Sequence, residues 1–207
     1  ELDIDLFTHL RNEGVMTNAN VQFQGDSEVT VAATQEIGTG IFTDMMSSGS
    51  IEVNTDLLLN NTHIYVNDVP LNLNGSLLQI SGSEGRIDDT QVNAQGNSIK
   101  LLNGAYLYGS AEITNAHLYG HAIATGGSVW FRDTVHVHDS LTNDPGYNST
   151  LQAENLKNHG IVKNSDAGGK LDIYLHNDFV NNGSADFDDF YIDNETDEAQ
   201  LINLASG

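Results

Sequence analysis

Short alternating pairs of apolar residues recur along the chain. In each pair the two apolar positions are separated by one position, which is the period of a β-strand with one buried face. The clearest pairs follow one another at steps of six or seven residues: Ile51/Val53, Leu57/Leu59, Ile64/Val66, Leu71/Leu73 and Leu78/Ile80. The pattern therefore predicts many short strands rather than a series of amphipathic helices.

Turn-forming residues separate these pairs. Asn60-Asn61, Asn67-Asp68 and Asn74-Gly75 each lie between two pairs, and Asn and Gly tolerate the left-handed backbone of a sharp corner. Strands of about three to five residues are short for a sandwich. Three strand–corner units would instead make one coil of roughly 20 residues, and successive coils would stack in parallel. We therefore predict a single all-β domain, a right-handed parallel β-helix, with an antiparallel β-sandwich as the alternative.

This fold makes two predictions about side chains. Leu59, Val66, Leu73 and Ile80 should all point into the interior of the coil. The chain also contains 23 Asn residues, more than an ordinary domain needs. Their side-chain amides are expected to form ladders along the stack at the corners.

The two ends show a different pattern. Residues 5–14 are expected to form a short amphipathic helix within an N-terminal cap that covers residues 1–20. A second helical pattern begins at Thr196 and belongs to a C-terminal acidic segment and cap, residues 186–207. The coils themselves are expected to span residues 21–185. Such caps would cover the open ends of a solenoid.

The first five residues also suggest self-association. They alternate polar and apolar side chains, with Leu2 and Ile4 as the apolar ones. The segment could add a strand to a neighbouring subunit and so build a homo-oligomer or a filament. Alternatively, it folds back onto its own first coil.

The charge of the chain restricts its partners. The chain has seven Lys and Arg residues and 29 Asp and Glu residues, which gives a formal net charge of −22. Such a surface repels nucleic acid and anionic lipid. No apolar run approaches the roughly 20 residues of a membrane span, so no membrane insertion is expected. The same surface attracts divalent cations.

The densest acidic run indicates a calcium site. It contains four aspartates whose hard oxygen atoms are the ligands that Ca²⁺ prefers, namely Asp186, Asp188, Asp189 and Asp193. Calcium is therefore a possible cofactor. The alternative is a solvated acidic edge that discourages unwanted strand pairing.

Two clusters of side chains could bind other ligands. Tyr106 and Tyr108 share one strand face, and Tyr119 is expected to lie near them one coil further on, where the three rings could contact a glycan. The alternative is an aromatic ladder that only stabilises the coil.

His136 and His138 lie on one face of a strand, about 7 Å apart, and with Asp133 or Asp139 they could hold Zn²⁺. His117 and His121 are the other close pair. The alternative is that the histidines simply form the outward face of the strand.

Two segments carry a family resemblance. Residues 151–162 and 171–183 are similar to the L-x-N-x-G-x-I/F coils of filamentous-haemagglutinin-type adhesins and autotransporter passenger domains. This resemblance implies a secreted or cell-surface protein with a structural or adhesive role. It carries over no catalytic residues, so we expect that the protein is not an enzyme.

A carbohydrate-binding or polysaccharide-cleaving β-helix is the alternative function. Asn54-Thr55-Asp56, Asp88-Asp89 and Gly120-His121 occur in the order of the motifs of polygalacturonase-like hydrolases. The chain departs from that family because Ala122 follows His121 and because it has no Arg-x-Lys sequence. Its net negative charge would also repel an acidic polysaccharide.

Overall fold

The strands of this protein all pair in parallel, and they stack into a β-solenoid of about eight turns. The computed structural model describes residues 2–12, 16–25, 27–31, 36–44, 49–66, 68–125, 127–186, 190–192 and 201–203. The predicted parallel β-helix is confirmed, and the antiparallel sandwich is wrong. The handedness of the coil stays a prediction.

The described strands are short, and none is longer than ten residues. In chain order they are β1 (Leu2–Leu6), β2 (His9–Asn12), β3 (Met16–Phe23), β4 (Ser27–Val31), β5 (Glu36–Asp44), β6 (Ile51–Val53), β7 (Leu57–Tyr65), β8 (Leu71–Asn72), β9 (Leu78–Ser81), β10 (Arg86–Asp88), β11 (Gln91–Asn93), β12 (Ser98–Leu102), β13 (Tyr106–Tyr108), β14 (Glu112–Thr114), β15 (His117–Thr125), β16 (Ser128–Val137), β17 (Ser140–Asn143), β18 (Ser149–Asn158), β19 (Ile161–Lys163), β20 (Leu171–Leu175), β21 (Phe179–Asn181), β22 (Ser184–Asp186), β23 (Phe190–Ile192) and β24 (Leu201–Asn203).

The pairing registers divide the coil into three sides. The first side runs from β1 through β10 and β13 to β22, the second from β2 through β11 and β14 to β23, and the third from the start of β3 through β9 and β12 to β24. The longer strands β3, β5, β7, β15, β16 and β18 each turn a corner and belong to two sides. Partners in successive coils lie from 17 residues apart, as in Tyr106 and Ile123, to 24 residues apart, as in Val29 and Val53.

The core fills the space between the three sides. On the first side Ile64, Ile87 and Leu107 stack in register, and all three are fully buried. Alternation along each strand sends the intervening residues outward. The four residues expected in the interior, Leu59, Val66, Leu73 and Ile80, have no solvent-exposed surface, so that prediction is confirmed.

Asparagine ladders hold the coils together, as the composition indicated. The Asn93 amide donates to the Asn72 side-chain oxygen at 3.2 Å. Deeper in the coil, the fully buried Asn158 donates to the Asn181 side-chain oxygen at 2.7 Å and to the carbonyl oxygen of Ser184 at 2.8 Å. Its own side-chain oxygen accepts the Gly160 N–H at 3.0 Å. Asn158 therefore joins two successive coils where they turn a corner.

The corners also use backbone conformations that few residues tolerate. Asn61 adopts a φ of 48° between the two halves of β7, and Gly82 adopts a φ of 91° in the next coil. A Cβ atom at Gly82 would lie 2.1 Å from the side-chain oxygen of Asn61. Glycine is therefore needed at position 82 both for its φ and for the close approach of the Asn61 side chain.

The predicted N-terminal helix is wrong. Of residues 5–14, the described residues 5–12 contribute to β1 and β2 and the corner between them, because Leu6 and Leu10 point into the core from two successive strands. Phe7 is exposed at the corner between those strands. The coil therefore begins at β1, within the region expected to be a cap of residues 1–20.

The C-terminal helix predicted from Thr196 is also wrong where the structure describes it. Leu201–Asn203 is a strand, β24, which pairs with β21 on the third side. Residues 193–200 lie outside the described residues. The coil therefore extends past residue 185 through β22, β23 and β24.

The first strand belongs to its own coil. β1 pairs in parallel with β3, with Leu2 opposite Ala19 and Ile4 opposite Val21. Ile4 is half-buried against the core. Self-association through Leu2 and Ile4 stays a prediction, and it would now use the outer edge of β1. Among the described residues, no helix is long and apolar enough to cross a membrane.

The register predicts a large difference between neighbouring leucines of β7. Leu59 is fully buried and Leu58 points outward. Leu59→Asp places an unpaired carboxylate in the core and should lower the free energy of unfolding by more than about 3 kcal/mol. Leu58→Asp serves as the matched control and should change it far less. Chemical denaturation of both variants measures the difference, and equal losses would contradict the register.

Candidate functional site

An open groove of about 480 Å³ on the first side of the coil brings several tyrosine rings together. It is lined by Ser83, Gly104, Tyr106, Tyr108, Ile123, Thr125, Asp144 and Tyr147. A volume in the range of about 300–1,000 Å³ is typical of sites for small ligands. We call this surface the tyrosine groove.

Arg86 holds two of the tyrosines in place. Its guanidinium donates to the Tyr106 hydroxyl at 3.1 Å and lies 5.8 Å from the centre of the Tyr108 ring. The two rings are 6.4 Å apart and inclined at 77°. Tyr108 keeps 40% of its surface exposed. The groove therefore has a fixed aromatic wall that solvent reaches.

A partly buried network of Asp88 and His63 fixes Arg86 in turn. The Arg86 Nε atom lies 3.4 Å from the Asp88 carboxylate, which also bonds to His63 at 2.9 Å. Burial and the neighbouring Arg86 charge lower the pKa of His63, against the opposing effect of Asp88. Asp88 is itself buried.

The third tyrosine comes from the loop after β17. Tyr147 is 61% exposed and follows Pro145 and Gly146, where the sequence shows its strongest loop signal. The buried Asn143 amide donates to the Tyr147 carbonyl oxygen at 2.8 Å, and the Asn143 oxygen accepts the Ser165 N–H at 2.6 Å. Asn143 therefore ties the loop that carries Tyr147 to the next coil.

The sequence was right to place Tyr106 and Tyr108 together and wrong about Tyr119. Tyr106 is in register with Ile123, whereas Tyr119 is in register with Lys100 on the third side of the coil. The Tyr119 ring stacks on His138 at 4.4 Å. Tyr147, which the sequence pattern did not indicate, occupies the groove in place of Tyr119.

The residues that suggested a hydrolase perform structural tasks. The Asp56 carboxylate accepts the Leu77 N–H at 2.9 Å, and the Asp89 carboxylate accepts the Ser110 N–H at 2.6 Å. Asp88 is paired with His63 and Arg86. Each of these carboxylates is therefore engaged in holding its own part of the coil.

His121, the remaining residue of that motif series, also bonds within the coil. Its imidazole lies 2.5 Å from the Ser140 hydroxyl and 3.4 Å from the Thr142 hydroxyl. Asp56, Asp88, Asp89 and His121 are not among the residues that line the tyrosine groove.

The calcium expectation is not tested by the described residues. Asp186 is exposed at the end of β22, and its backbone is in register with Lys163. Asp188, Asp189 and Asp193 lie outside the described residues. A calcium site in this acidic run stays a prediction.

The third side carries a cluster of imidazoles, formed by His117, His136, His138 and His159. His117 stacks on His136 with ring centres 4.4 Å apart, and His138 and His159 are 5.2 Å apart. Two diagonal pairs contact through their nitrogens: His117 Nδ1 lies 2.8 Å from His138 Nε2, and His136 Nδ1 lies 3.1 Å from His159 Nε2. We call this group the imidazole cluster.

The sequence predicted part of this cluster. His136 does point outward from β16, and His138, directly after that strand, is partly exposed beside it, as the alternation required. The aspartates expected beside them are elsewhere engaged: Asp139 accepts the Gly120 N–H at 2.7 Å, and Asp133 lies at a corner with a φ of 54°. His159, which the sequence pattern did not indicate, joins the cluster from the next coil.

The cluster disfavours protonation of its central member. Burial and the mutual repulsion between cationic groups lower the pKa of His136 to about 4. The neighbouring groups that contribute are His117, Lys157, His159 and His138, in that order. His136 is therefore neutral near pH 7.

The pKa of His138 is lowered for the same reasons. Burial has the largest effect, and His117 and His159 add to it, whereas Asp139 acts in the opposite direction. A neutral imidazole keeps one proton and has one nitrogen lone pair, which can accept a hydrogen bond or bind a metal ion.

These pKa shifts predict a loss of stability in acid. An unfolded histidine titrates near about pH 6.5. Because folding lowers the pKa of His136 to about 4, the unfolded chain binds more protons between these two pH values. The contribution of the cluster is therefore fully present above about pH 6.5 and is lost as the pH falls towards about 4. In thermal melts, the Tm should therefore fall as the pH is lowered from about 6.5 to about 4.

The variant His136→Asn separates this effect from the titration of carboxylates. It removes the group with the largest shift and should reduce the slope of Tm against pH between about pH 6.5 and 4. Identical slopes for the wild type and His136→Asn would contradict the interpretation.

No family model matches the chain, and no curated protein or solved structure matches it. A function must therefore be argued from the chemistry of the two surfaces themselves.

Proposed function

We propose that this protein is a secreted or cell-surface β-solenoid module, without enzymatic activity, that adheres to uncharged glycans through the tyrosine groove. The observation that carries the proposal is the convergence of three tyrosines on one open groove whose walls are held by Arg86 and Asn143. A purely structural ladder of aromatic rings would not need a loop tied down at its edge.

The groove offers the chemistry that sugars require. The C–H faces of a sugar ring are apolar and pack against aromatic rings, which Tyr108 and Tyr147 present to solvent. The hydroxyl groups of Ser83 and Thr125 and the carboxylate of Asp144 line the same groove and can exchange hydrogen bonds with sugar hydroxyls. Fixed aromatic rings bind at a low cost in conformational entropy.

The charge of the molecule selects the class of glycan. A net charge of −22 repels polyanions, and Asp144 adds a negative charge within the groove itself. Neutral oligosaccharides are therefore favoured over uronic acids and sulfated sugars.

The groove also favours binding over cleavage. Glycoside hydrolysis in most families uses two carboxyl groups that flank the scissile bond. Of the described residues that line the groove, Asp144 alone carries a carboxyl group, and the Thr125 hydroxyl donates to it at 3.1 Å. A bound glycan would therefore leave the groove without being cleaved.

A glycan array that contains both neutral and acidic oligosaccharides tests the proposal. We expect binding to a subset of the neutral ones. For the best binder, Tyr108→Ala and Tyr147→Ala should each raise the Kd about tenfold or more, which corresponds to about 1.4 kcal/mol. Isothermal titration calorimetry measures the change.

Tyr174→Ala provides the matched control. Tyr174 is a similarly exposed tyrosine on the second side of the coil, where it stacks on Tyr191 at 4.7 Å. Its removal should leave the Kd unchanged. Mass spectrometry of the glycan after incubation with the protein should show only the intact, uncleaved glycan. Absence of binding to every neutral oligosaccharide, or equal binding by all three variants, would contradict the proposal.

A further inference from the structure

Half of the histidines of this chain gather in one patch on the third side of the coil. The chain has eight histidines, and the imidazole cluster contains four of them. They come from three successive coils: His117 from β15, His136 and His138 from β16 and the residue after it, and His159 from the residue after β18. Register pairing of His117 with His136 brings them together. The tyrosine groove lies on another side of the coil, so a ligand of the imidazole cluster would bind independently of the proposed glycan.

The nitrogens of the cluster face one another. The ring planes of His117 and His138 are nearly parallel, at 14°, with centres 5.1 Å apart and closest nitrogens 2.8 Å apart, so the rings meet at their edges. The rings of His136 and His159 meet in the same way, at 4° and 3.1 Å. In-plane nitrogens are the atoms through which imidazole binds a metal ion.

The spacing of these nitrogens matches a metal site. Two nitrogens bound to one tetrahedral Zn²⁺ at about 2.0–2.1 Å lie about 3.3 Å apart. One nitrogen from each of His117, His136 and His138 lies within 4.8 Å of the other two. Rotation of the rings about their Cβ–Cγ bonds would direct all three nitrogens at a common point, in exchange for the present contacts between the rings, and all three rings are only partly buried.

We propose that the imidazole cluster is a binding site for a divalent transition-metal ion of the class that prefers nitrogen ligands, such as Zn²⁺, Co²⁺ or Ni²⁺. His117, His136 and His138 supply the ligands, and His159 lies beside His136 in the next coil. The ion would join two coils through side chains, in addition to their backbone hydrogen bonds. Imidazole ligands select this class over Ca²⁺ and Mg²⁺, which prefer oxygen.

The surroundings of the cluster act in both directions. The net charge of the molecule draws cations to its surface, and the Asp139 carboxylate follows His138 directly in the chain. The cationic Lys157 is in register with His136 and opposes a bound ion. This arrangement offers a test, because the removal of the Lys157 charge should strengthen binding.

Titration of the tag-free protein with ZnCl₂ at pH 7.5 in a calorimeter tests the site. We expect one equivalent of Zn²⁺ to bind. His136→Asn and His138→Asn should each weaken binding about tenfold or more, and Lys157→Met should strengthen it. His121→Asn, which alters an exposed histidine outside the cluster, should leave the Kd unchanged. Any heat that CaCl₂ gives at the same concentration should be the same for the wild type and for the histidine variants.

A second measurement requires no variant and so does not depend on their folding. In ¹H–¹⁵N spectra of the histidine side chains, added Zn²⁺ should shift the ring nitrogens of His117, His136 and His138 and leave those of His121 in place. With CoCl₂, the intense visible absorption of tetrahedral Co²⁺ should appear. Lack of Zn²⁺ binding, equal binding by His136→Asn and His121→Asn, or shifts confined to histidines outside the cluster would each overturn the proposal.

Discussion

The parallel, in-register hydrogen bonding between successive coils is the constraint on which the rest of this structure depends. It places each paired strand residue directly above or below a partner in the neighbouring coil, at a spacing of about 4.8 Å. Inside the coil this stacks apolar side chains, such as Ile64, Ile87 and Leu107. Outside, it stacks like polar groups and rings, such as His117 on His136. A chemical property that one coil presents is therefore readily shared with its neighbours, and the imidazole cluster arises in this way.

The sequence predicted the fold because the inward and outward alternation is a local property. Leu59, Val66, Leu73 and Ile80 could be assigned to the core without knowing which coil lies above which. The same local character of the pattern explains why the prediction of an N-terminal helix was wrong. Leu6 and Leu10 are four residues apart and both buried, which imitates one face of a helix. A tight corner between two strands produces the same spacing.

The candidate sites were harder to predict because they depend on the length of each coil. Tyr106 and Ile123 are in register across 17 residues, so Tyr119 falls short of the tyrosine groove and reaches the third side. The imidazole cluster left a clearer trace in the sequence. His117 and His138 are 21 residues apart, and His136 and His159 are 23 residues apart. A search for like residues at the coil period would have found all four.

The direction of the backbone hydrogen bonds also gives the molecule an anisotropic response to force. These bonds lie along the coil axis, so a pull on a terminal strand such as β1 would peel it from β3 one bond at a time. A load applied through a middle coil is different, because each strand there is bonded to a strand in the preceding coil and to one in the following coil, and both share the load. β13, for example, pairs with β10 on one face and with β15 on the other. Tension that enters through the tyrosine groove would therefore be spread over several strands before any single bond breaks.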